Sequence, residues 1–566
     1  MSKYAIGLDF GTNSCRSLIV DIADGKEVAS FVFNYPSGEA GIITGASDPN
    51  LARQNPADYL EGIEVTIKES IKKAKSIDLN FSPEKIIGIG VDTTGSSPMP
   101  VDENGNPLCF NQKFKDQPAA MVWLWKDHTS FAEAKAITEL AEKIRPQYLA
   151  KIGGVYSSEW FWSKIWHCQK ENPEVFDSAY SFVEICDWIP AVLVGDTNPD
   201  HLKRSICAAG HKAMFNEQWG GLPDSDFLEK LSPGLGSLRD KLFNQAFSAE
   251  ERTGYLCDEW AKKLGLSNKV AVAVGAFDAH MGAVGAGIKS GTLVKILGTS
   301  TCDIMVSPSN KSLADIPCVC GIVNGSVMNG FYGIEAGQSA VGDIFLWFVN
   351  NLVPESYGKT HDEKFSNLEK AAAKLKPGES GLMALDWNNG NRTILVDVRL
   401  TGLLLGQTLH TQPHEIYRAL VEATAFGALA IIDRIEENGV KINEVVNCGG
   451  LAIKNSLLMQ IYADVTNRPM KVSRSEQTPA LGAAIFAAVS AGKNVSGFEN
   501  IDQAKAAMTG IDKTYKPVEE NHEVYKKLYA IYKQLHDGFG TKGWSGSMFN
   551  VMKDLLEIRD NIREGK

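Results

Sequence analysis

The sequence is poor in the features that mark several large classes of protein. Basic residues are outnumbered: 57 Lys and Arg against 68 Asp and Glu leave a net charge of −11. A chain of that sign has no general affinity for nucleic acid, whose phosphates demand basic surface. An anionic ligand would need a local nest of backbone N–H groups or a few placed basic side chains. No apolar run approaches the about 20 residues needed to cross a bilayer. The chain passes from a polar Ser2-Lys3 straight into a strand, so neither a membrane span nor a signal peptide is expected. The ten cysteines are scattered. Cys318-Val319-Cys320 is the one close pair, and no second pair completes a zinc site. They read as reduced thiols filling the core of a cytoplasmic protein, where a triplet such as Asn391-Arg392-Thr393 has no meaning for glycosylation. Gly-x-x-x-x-Gly-Lys-Ser/Thr is also missing, which excludes a Walker-type phosphate loop.

What is present points to two domains. A chain of 566 residues is too long for one hydrophobic core. Ala5-Ile6-Gly7-Leu8 reads as a buried strand ending at Asp9. Phe10-Gly11-Thr12-Asn13-Ser14 is a Gly-rich polar turn, and Ser17-Leu18-Ile19-Val20 returns as a second strand, together a hairpin. Gly11 lets the backbone turn tightly and approach a ligand. The N–H groups and hydroxyls of the turn can cradle an anion, with Asp9 facing a metal ion beside it; an ordinary polar hairpin fits the same residues. A strand over 27–33 and a helix over 56–75, with Pro56 in its first turn and Asn55 as cap, lead to the buried strand Ile86-Ile87-Gly88-Ile89-Gly90-Val91. That strand runs into Asp92-Thr93-Thr94-Gly95-Ser96-Ser97. The order is that of an α/β protein.

The opening pattern then recurs. Thr292-Leu293-Val294-Lys295-Ile296-Leu297 is a strand, Gly298-Thr299-Ser300-Thr301 a Gly-hydroxyl turn, and Cys302-Asp303-Ile304-Met305-Val306 the returning strand. The repeat predicts two related domains, 1–288 and 289–566. Just before the boundary, Gly275-Ala276-Phe277-Asp278 ends a short strand, and the glycines from 282 to 291 read as a closely packed hinge. In the second half, a helix over 414–437 precedes the strand 444–448, which ends in Gly449-Gly450. Helices follow over 455–466 and over 480–491, the latter built of small residues that permit close backbone packing. Residues 512–566 read as a charged helical tail, and 198–233 as a loop-rich insert. The Trp-rich stretch 122–182 suits either a core or a sugar site, core packing being the commoner use.

Two Gly-Thr turns, one per domain, can grip the phosphate chain of a nucleotide from both sides, and Gly449-Gly450-Leu451-Ala452 offers bare backbone to a purine and ribose. This constellation resembles the actin-like ATPase superfamily, with two duplicated ribonuclease-H-like domains flanking a catalytic cleft. More closely, over residues 4–491, it resembles the FGGY family of carbohydrate kinases. Leu8 to Ser14 looks like the family's first phosphate motif, Gly298-Thr299-Ser300 like the second, Gly449-Gly450 through Asn455 like the adenosine motif, and Gly275-Ala276-Phe277-Asp278 like the segment carrying the catalytic base. Lys164-Ile165-Trp166-His167 meets a further family signature in part. Longer stretches, among them Met121 to His128, Gly153 to Trp160, Gly210-His211-Lys212 and Gly333 to Gln338, resemble the subgroup that acts on ribulose.

The resemblance implies ATP-dependent phosphorylation of a ketopentose, L-ribulose to L-ribulose 5-phosphate, with Mg2+. Kinases of D-ribulose, xylulose or ribitol are the near alternatives, and a non-catalytic actin-like sugar sensor the distant one. It implies Asp278 as the base that takes the sugar proton, and Asp9 as holder of Mg2+ through water. Gly11, Thr12, Asn13, Arg16, Gly298, Thr299 and Ser300 would hold the phosphates, Arg16 serving equally well as a surface ion pair. Gly449, Gly450, Ala452 and Asn455 would frame the adenosine. Gly95, Ser96, Lys212 and Glu335 would contact the sugar, with Trp125 either an apolar wall of that site or core. The expected partners are ATP and a small sugar, with no nucleic acid and no membrane, and a homodimer is the oligomer to test.

Overall fold

The computed structural model describes residues 2–45, 48–311 and 313–565. β1 (Tyr4–Phe10) pairs antiparallel with β2 (Ser14–Asp21), and β3 (Glu27–Asn34) continues the antiparallel run. A strand parallel to β1 needs a crossover, and the helix Pro56–Ile77 supplies it. Asn55 accepts from the Ala57 N–H at its start, and Tyr59, Ile63, Ile67 and Ile71 bury one face. The chain returns as β4 (Ile86–Thr93), parallel to β1. β5 (Arg252–Tyr255), β6 (Ala271–Ala273) and β7 (Ala276–Phe277) complete the sheet, ordered β5-β6-β4-β1-β2-β3 with β7 also beside β4.

The second sheet opens in the same way. β8 (Thr292–Leu297) pairs antiparallel with β9 (Thr301–Pro308), and β10 (Gly321–Asn324) and β11 (Phe331–Ala336) extend that side. After the helix Pro413–Glu437, β12 (Glu444–Cys448) lies parallel to β8, β13 (Met470–Ser473) parallel to β12, and β14 (Ile511–Tyr515) closes the edge. The runs β3-β2-β1-β4-β6 and β11-β9-β8-β12-β13 share one pattern, two antiparallel pairings followed by two parallel ones. The α/β fold with duplicated ribonuclease-H-like domains is thus visible in strand order and direction.

Two small-residue helices lie between the sheets. The helix Thr478–Ser490 packs on β1 and β4 through glycines: a Cβ on Gly7 would fall 1.8 Å from the Ala480 carbonyl oxygen, and one on Gly90 1.9 Å from that of Ala483. The helix Asp278–Gly285 packs against the same helix, and a Cβ on Gly482 would fall 1.8 Å from the Met281 carbonyl oxygen. A shared core joins Ala5 and Val20 of the first sheet, Val294 and Ile304 of the second, and Leu481 and Ile485 between them. The stretch expected as a hinge therefore divides. Gly282 and Gly285 sit inside a helix, where small size permits close packing, whereas Gly287 and Gly291, at φ +81° and +79°, make the turn into β8.

Two other expectations need correction. Residues 512–566, expected as a charged helical tail, do hold the helices Glu519–Gly540 and Val551–Glu564, but they are part of the fold: β14 joins the second sheet and the first of these helices buries Tyr525, Leu528, Ile531, Tyr532 and Leu535 in the C-terminal core. The insert 198–233 contains the helix Ile206–Lys212, whose end carries a site residue. Trp123 and Trp162 are core. Among the described residues no helix is long and apolar enough to cross a membrane.

One buried ion pair braces the second hairpin. Lys295 Nζ donates to both Asp303 carboxylate oxygens at 2.7 Å and to Gln338 Oε1 at 3.2 Å, with both charged side chains 1% exposed. Breaking one side of such a pair strands a charge, at a cost of about 3–5 kcal/mol, whereas an apolar replacement of both is often neutral. Lys295→Met is expected to lower the thermal midpoint clearly, and Lys295→Met with Asp303→Leu to recover most of the loss. A single variant melting with the wild type would refute this.

Candidate active site

Strand register builds one end of the site. Asp9 of β1 lies beside Asp92 of β4, and β7 places Ala276 beside Asp92 and Phe277 beside Thr93, so Asp278 emerges at the same sheet edge. Asp278 opens its helix, and its Oδ1 accepts from the Ala279 N–H at 2.6 Å. Gathering three carboxylates in a buried place favours their protonated forms. Burial, and then the Asp9 charge, pushes Asp278 up to about 7. Burial, and then Asp9 and Asp278, raises Asp92 well above the carboxylate range. Asp9 is also raised by burial, held back by the Arg16 guanidinium 3.6 Å away. Asp92 is fully enclosed, and no N–H or hydroxyl of the described residues donates to either of its oxygens, so its hydrogen-bonding neighbour is the Asp9 carboxyl, with which it can share a hydrogen bond only while one of the two is protonated. A hard cation would relieve both the orphaned oxygens and the mutual repulsion, so this set of oxygens suits Mg2+. Sequence reasoning missed Asp92; the signal was an Asp ending a buried strand, as Asp9 does.

Gly11, Thr12 and Asn13 form the turn between β1 and β2. The Thr12 Oγ1 accepts from the Trp125 indole N–H at 3.0 Å, and Asn13 Nδ2 donates to the Ala40 carbonyl at 2.8 Å. Trp125 thus braces the first turn and packs on Ile42, Ala52 and Leu124. Gly298, Thr299 and Ser300 form the turn between β8 and β9, with Gly298 and Thr299 exposed and the Thr299 carbonyl accepting from the Val341 N–H at 2.8 Å. Gly449, at φ +91°, sits where a Cβ would meet the Leu297 carbonyl oxygen at 2.4 Å, and Gly450 is exposed with open space around it. Ala452 is core, and Asn455 caps the helix Ser456–Thr466: it accepts from the Leu458 N–H and donates to the Tyr417 hydroxyl, at 2.8 and 2.9 Å. Their side chains shape the turn from behind.

Two of the residues expected at the sugar meet each other. Lys212 ends the helix Ile206–Lys212 in the N-terminal domain, Glu335 lies on β11 of the C-terminal domain, and Lys212 Nζ donates to Glu335 Oε1 at 2.9 Å. Burial opposes the Glu335 charge, but the Lys212 ammonium outweighs it and holds the carboxyl well below its usual range. Burial keeps both imidazoles neutral, with His280 lowered to about 4, and their Nε2 atoms lie 3.0 Å apart. Donor atoms of His211, His280 and Glu335 fall within 4.8 Å of one another, yet the Lys212 ammonium on the same carboxylate makes a poor neighbour for a cation.

The loop after β4 is held from the other side. A Cβ on Gly95 would overlap the Phe277 ring at 1.8 Å. The Ser96 hydroxyl is buried on the Glu184 carboxylate, which also accepts from the Ser97 N–H at 2.6 Å. Lys164, missed as a site residue although it lies in the partly met family signature, donates to the carbonyls of Ser96 and Leu124 at 2.7 and 2.8 Å. A cavity of about 620 Å³ opens beside the Lys212–Glu335 pair, walled by Glu159 and Trp160 of one domain and by Cys320 and Arg392 of the other. In the sequence Glu159 lies inside the Gly153–Trp160 stretch and Arg392 inside the Asn391-Arg392-Thr393 triplet, and neither stands among the expected site residues.

Two ribonuclease-H-like domains, each with a Gly-Thr turn between its first two strands and the first with acidic strand ends at Asp9 and Asp92, are the arrangement of the actin-like ATPase class. The family patterns agree and go further: the N-terminal domain of the FGGY family of carbohydrate kinases matches residues 4–285 and its C-terminal domain residues 293–491. The chain belongs to the FGGY family of carbohydrate kinases. It is 42% identical over an alignment of 576 positions to the ribulokinase of Shouchella clausii, covering 100% of this chain and 99% of that protein. It is 43% identical over 569 residues to that of Halalkalibacterium halodurans, covering 99% and 98%. Among solved structures, ligand-bound xylulose kinase from Lactobacillus acidophilus aligns with a TM-score of 0.76 at 20% identity, over 95% of this chain and 99% of that one. Glycerol kinase with ADP from Plasmodium falciparum aligns with a TM-score of 0.75 at 16% identity, over 95% and 98%. At those identities the structures attest the fold alone.

Proposed function

We propose that the protein transfers the γ-phosphoryl group of ATP to a ketopentose, converting L-ribulose to L-ribulose 5-phosphate. The observation that carries this reading is likeness along essentially the whole chain, at 42–43% identity, to proteins named ribulokinase. The site geometry supports it. Phosphoryl transfer asks a protein for positioning and charge stabilisation more than for covalent chemistry. The turns at Gly11, Thr12 and Asn13 and at Gly298, Thr299 and Ser300 bind the phosphates through backbone N–H groups and hydroxyls, with the Arg16 guanidinium at hand. Gly449 and Gly450 receive the adenosine, with Ala452 and Asn455 behind them. Asp9 and Asp92 hold Mg2+, which when bound offsets phosphate charge. Asp278 accepts the proton of the attacking 5-hydroxyl. Lys212 donates to sugar oxygens and Glu335 accepts from hydroxyls, their mutual ion pair holding both in place before the sugar arrives. Gly95 and Ser96 shape the wall beside them, and Trp125 holds the first phosphate turn. Closure of the two domains on the sugar would expel water and keep ATP from hydrolysis.

The test is a coupled assay of ADP release with L-ribulose, D-ribulose, both xyluloses, ribitol and glycerol. The expected outcome is a kcat/KM for L-ribulose at least about tenfold above xylulose and glycerol, the discrimination a hydrogen-bonding site readily supplies. Equal or higher efficiency on xylulose or glycerol would overturn the assignment.

A further inference from the structure

The loop that carries Arg392 is built under strain. Ile394 has φ +94° and Val396 φ +52°, a backbone region that β-branched side chains scarcely tolerate. Such conformations persist where surrounding contacts over-determine them, and they gather at ligand clamps. Here the contacts are specific. Asn391 and Asp397 exchange backbone hydrogen bonds at 2.9 Å, and the Asn391 carboxamide oxygen accepts from the Leu395 N–H at 3.0 Å. Thr393 Oγ1 accepts from the Gly337 N–H at 2.9 Å, two residues beyond Glu335. The loop is thereby fastened to the strand that bears the Glu335 carboxylate, and it delivers Arg392 into the cavity from the C-terminal side.

Across that cavity Arg392 meets a carboxylate of the other domain. The Arg392 Nη2 to Glu159 Oε1 distance is 3.9 Å, with the side chains 35% and 24% exposed. A charge-assisted hydrogen bond is about 2.7–2.9 Å long, so the two groups attract without bonding and both keep hydrogen-bonding capacity free. Glu159 has a further neighbour in His128, with Nε2 at 3.8 Å. The Glu335 charge acts on Arg392 as well as on Asp278, so the Lys212–Glu335 pair lies within electrostatic reach of both this place and the base.

We propose that Arg392 and Glu159 are specificity residues for the sugar, taking the C1–C2 end of the ketose, remote from the hydroxyl that is phosphorylated. This rests on the ketopentose reading above. The chemistry matches: the guanidinium presents donors in a fixed fork and no acceptor, suited to a keto oxygen and the neighbouring hydroxyl oxygen, and the Glu159 carboxylate accepts a hydrogen bond from the 1-hydroxyl. One ligand then joins the two domains, so that closure depends on a sugar of the right length.

The experiment compares L-ribulose with 1-deoxy-L-ribulose in the wild type, Arg392→Gln, Arg392→Lys and Glu159→Gln, with thermal melting as the check on folding. Losing a hydrogen bond to a charged group is expected to raise the KM for L-ribulose about tenfold or more in Arg392→Gln and Glu159→Gln, with the KM for ATP within about twofold. The wild type should discriminate against the 1-deoxy sugar, and Arg392→Gln should lose that discrimination. Arg392→Lys keeps the charge without the fork and should recover it only in part. An Arg392→Gln protein that melts with the wild type yet keeps its sugar KM, or still discriminates against the 1-deoxy sugar, would overturn the proposal and leave the pair a structural tie. If no variant folds except Arg392→Lys, full discrimination in that variant overturns it equally. A wild type that phosphorylates no pentulose would instead refute the ketopentose reading.

Discussion

Asp278→Asn is expected to lower kcat with the pentulose by about 10²–10⁴-fold, the range contributed by a positioned general base, while the protein stays folded and binds ATP as before. The substitution is nearly isosteric, and the carboxamide oxygen can still accept from the Ala279 N–H that Asp278 binds at 2.6 Å. What disappears is the capacity to take a proton. Removing one of three crowded carboxylates also relieves repulsion on Asp9 and Asp92, so the KM for ATP should not rise. The pH profile provides a second reading. Burial and the Asp9 charge raise Asp278 to about 7, and a protonated carboxyl cannot serve as base. Wild-type kcat/KM for the sugar should therefore be full at alkaline pH and fall as pH drops through that value, or through a lower one once a cation shares the site. The residual activity of the variant should lack this limb. A variant within about tenfold of the wild type would place the proton elsewhere.

Why some of this was legible in the sequence and some was not follows from the distances involved. The two Gly-Thr turns are local objects, each a polar turn between apolar runs, and the duplicated sheet could be inferred from their recurrence. Asp278 shares that advantage, since its meaning lies in the few residues before it. Asp92 carries the same strand-end signal, but it reads as a cap until the parallel register sets it beside Asp9. Lys212 and Glu335 were each singled out, but not their bond, which spans 123 residues and two domains. Asn455 and Ala452 lie in the expected motif, although their side chains serve the helix cap and the core behind it. Arg392 lies in a loop without periodicity, where nothing local announces that a strained backbone turns it into a cavity. The last helices were legible as helices but their docking was not: charged residues mask the spacing of Tyr525, Leu528, Ile531, Tyr532 and Leu535, which the structure shows to be a buried stripe.

Gly482→Val is expected to be the most damaging single change outside the site. The helix Thr478–Ser490 serves both domains at once, lying on the first sheet and against the helix that begins with Asp278. At Gly482 a Cβ would fall 1.8 Å from the carbonyl oxygen of Met281. The obstacle is backbone inside another helix, which cannot swing aside as a side chain can, so two packed elements must separate along a fully buried seam. Overpacking of cores costs about 1–3 kcal/mol where side chains can adjust, and here they cannot. The outcome should be an insoluble chain or a thermal midpoint lowered by about 10 °C or more, since 1 kcal/mol is worth a few degrees in domains of this size. Gly450→Ala is the informative contrast. No atom lies within 4 Å of a Cβ placed there, so the melting temperature should hold, while a methyl group on the surface offered to the adenosine should raise the KM for ATP. Gly482 is needed because two backbones touch, and Gly450 because a ligand must touch one. If Gly482→Val melted within about 2 °C of the wild type, a shift well under 1 kcal/mol, the close contact between the two helices would not be what holds the domains in register.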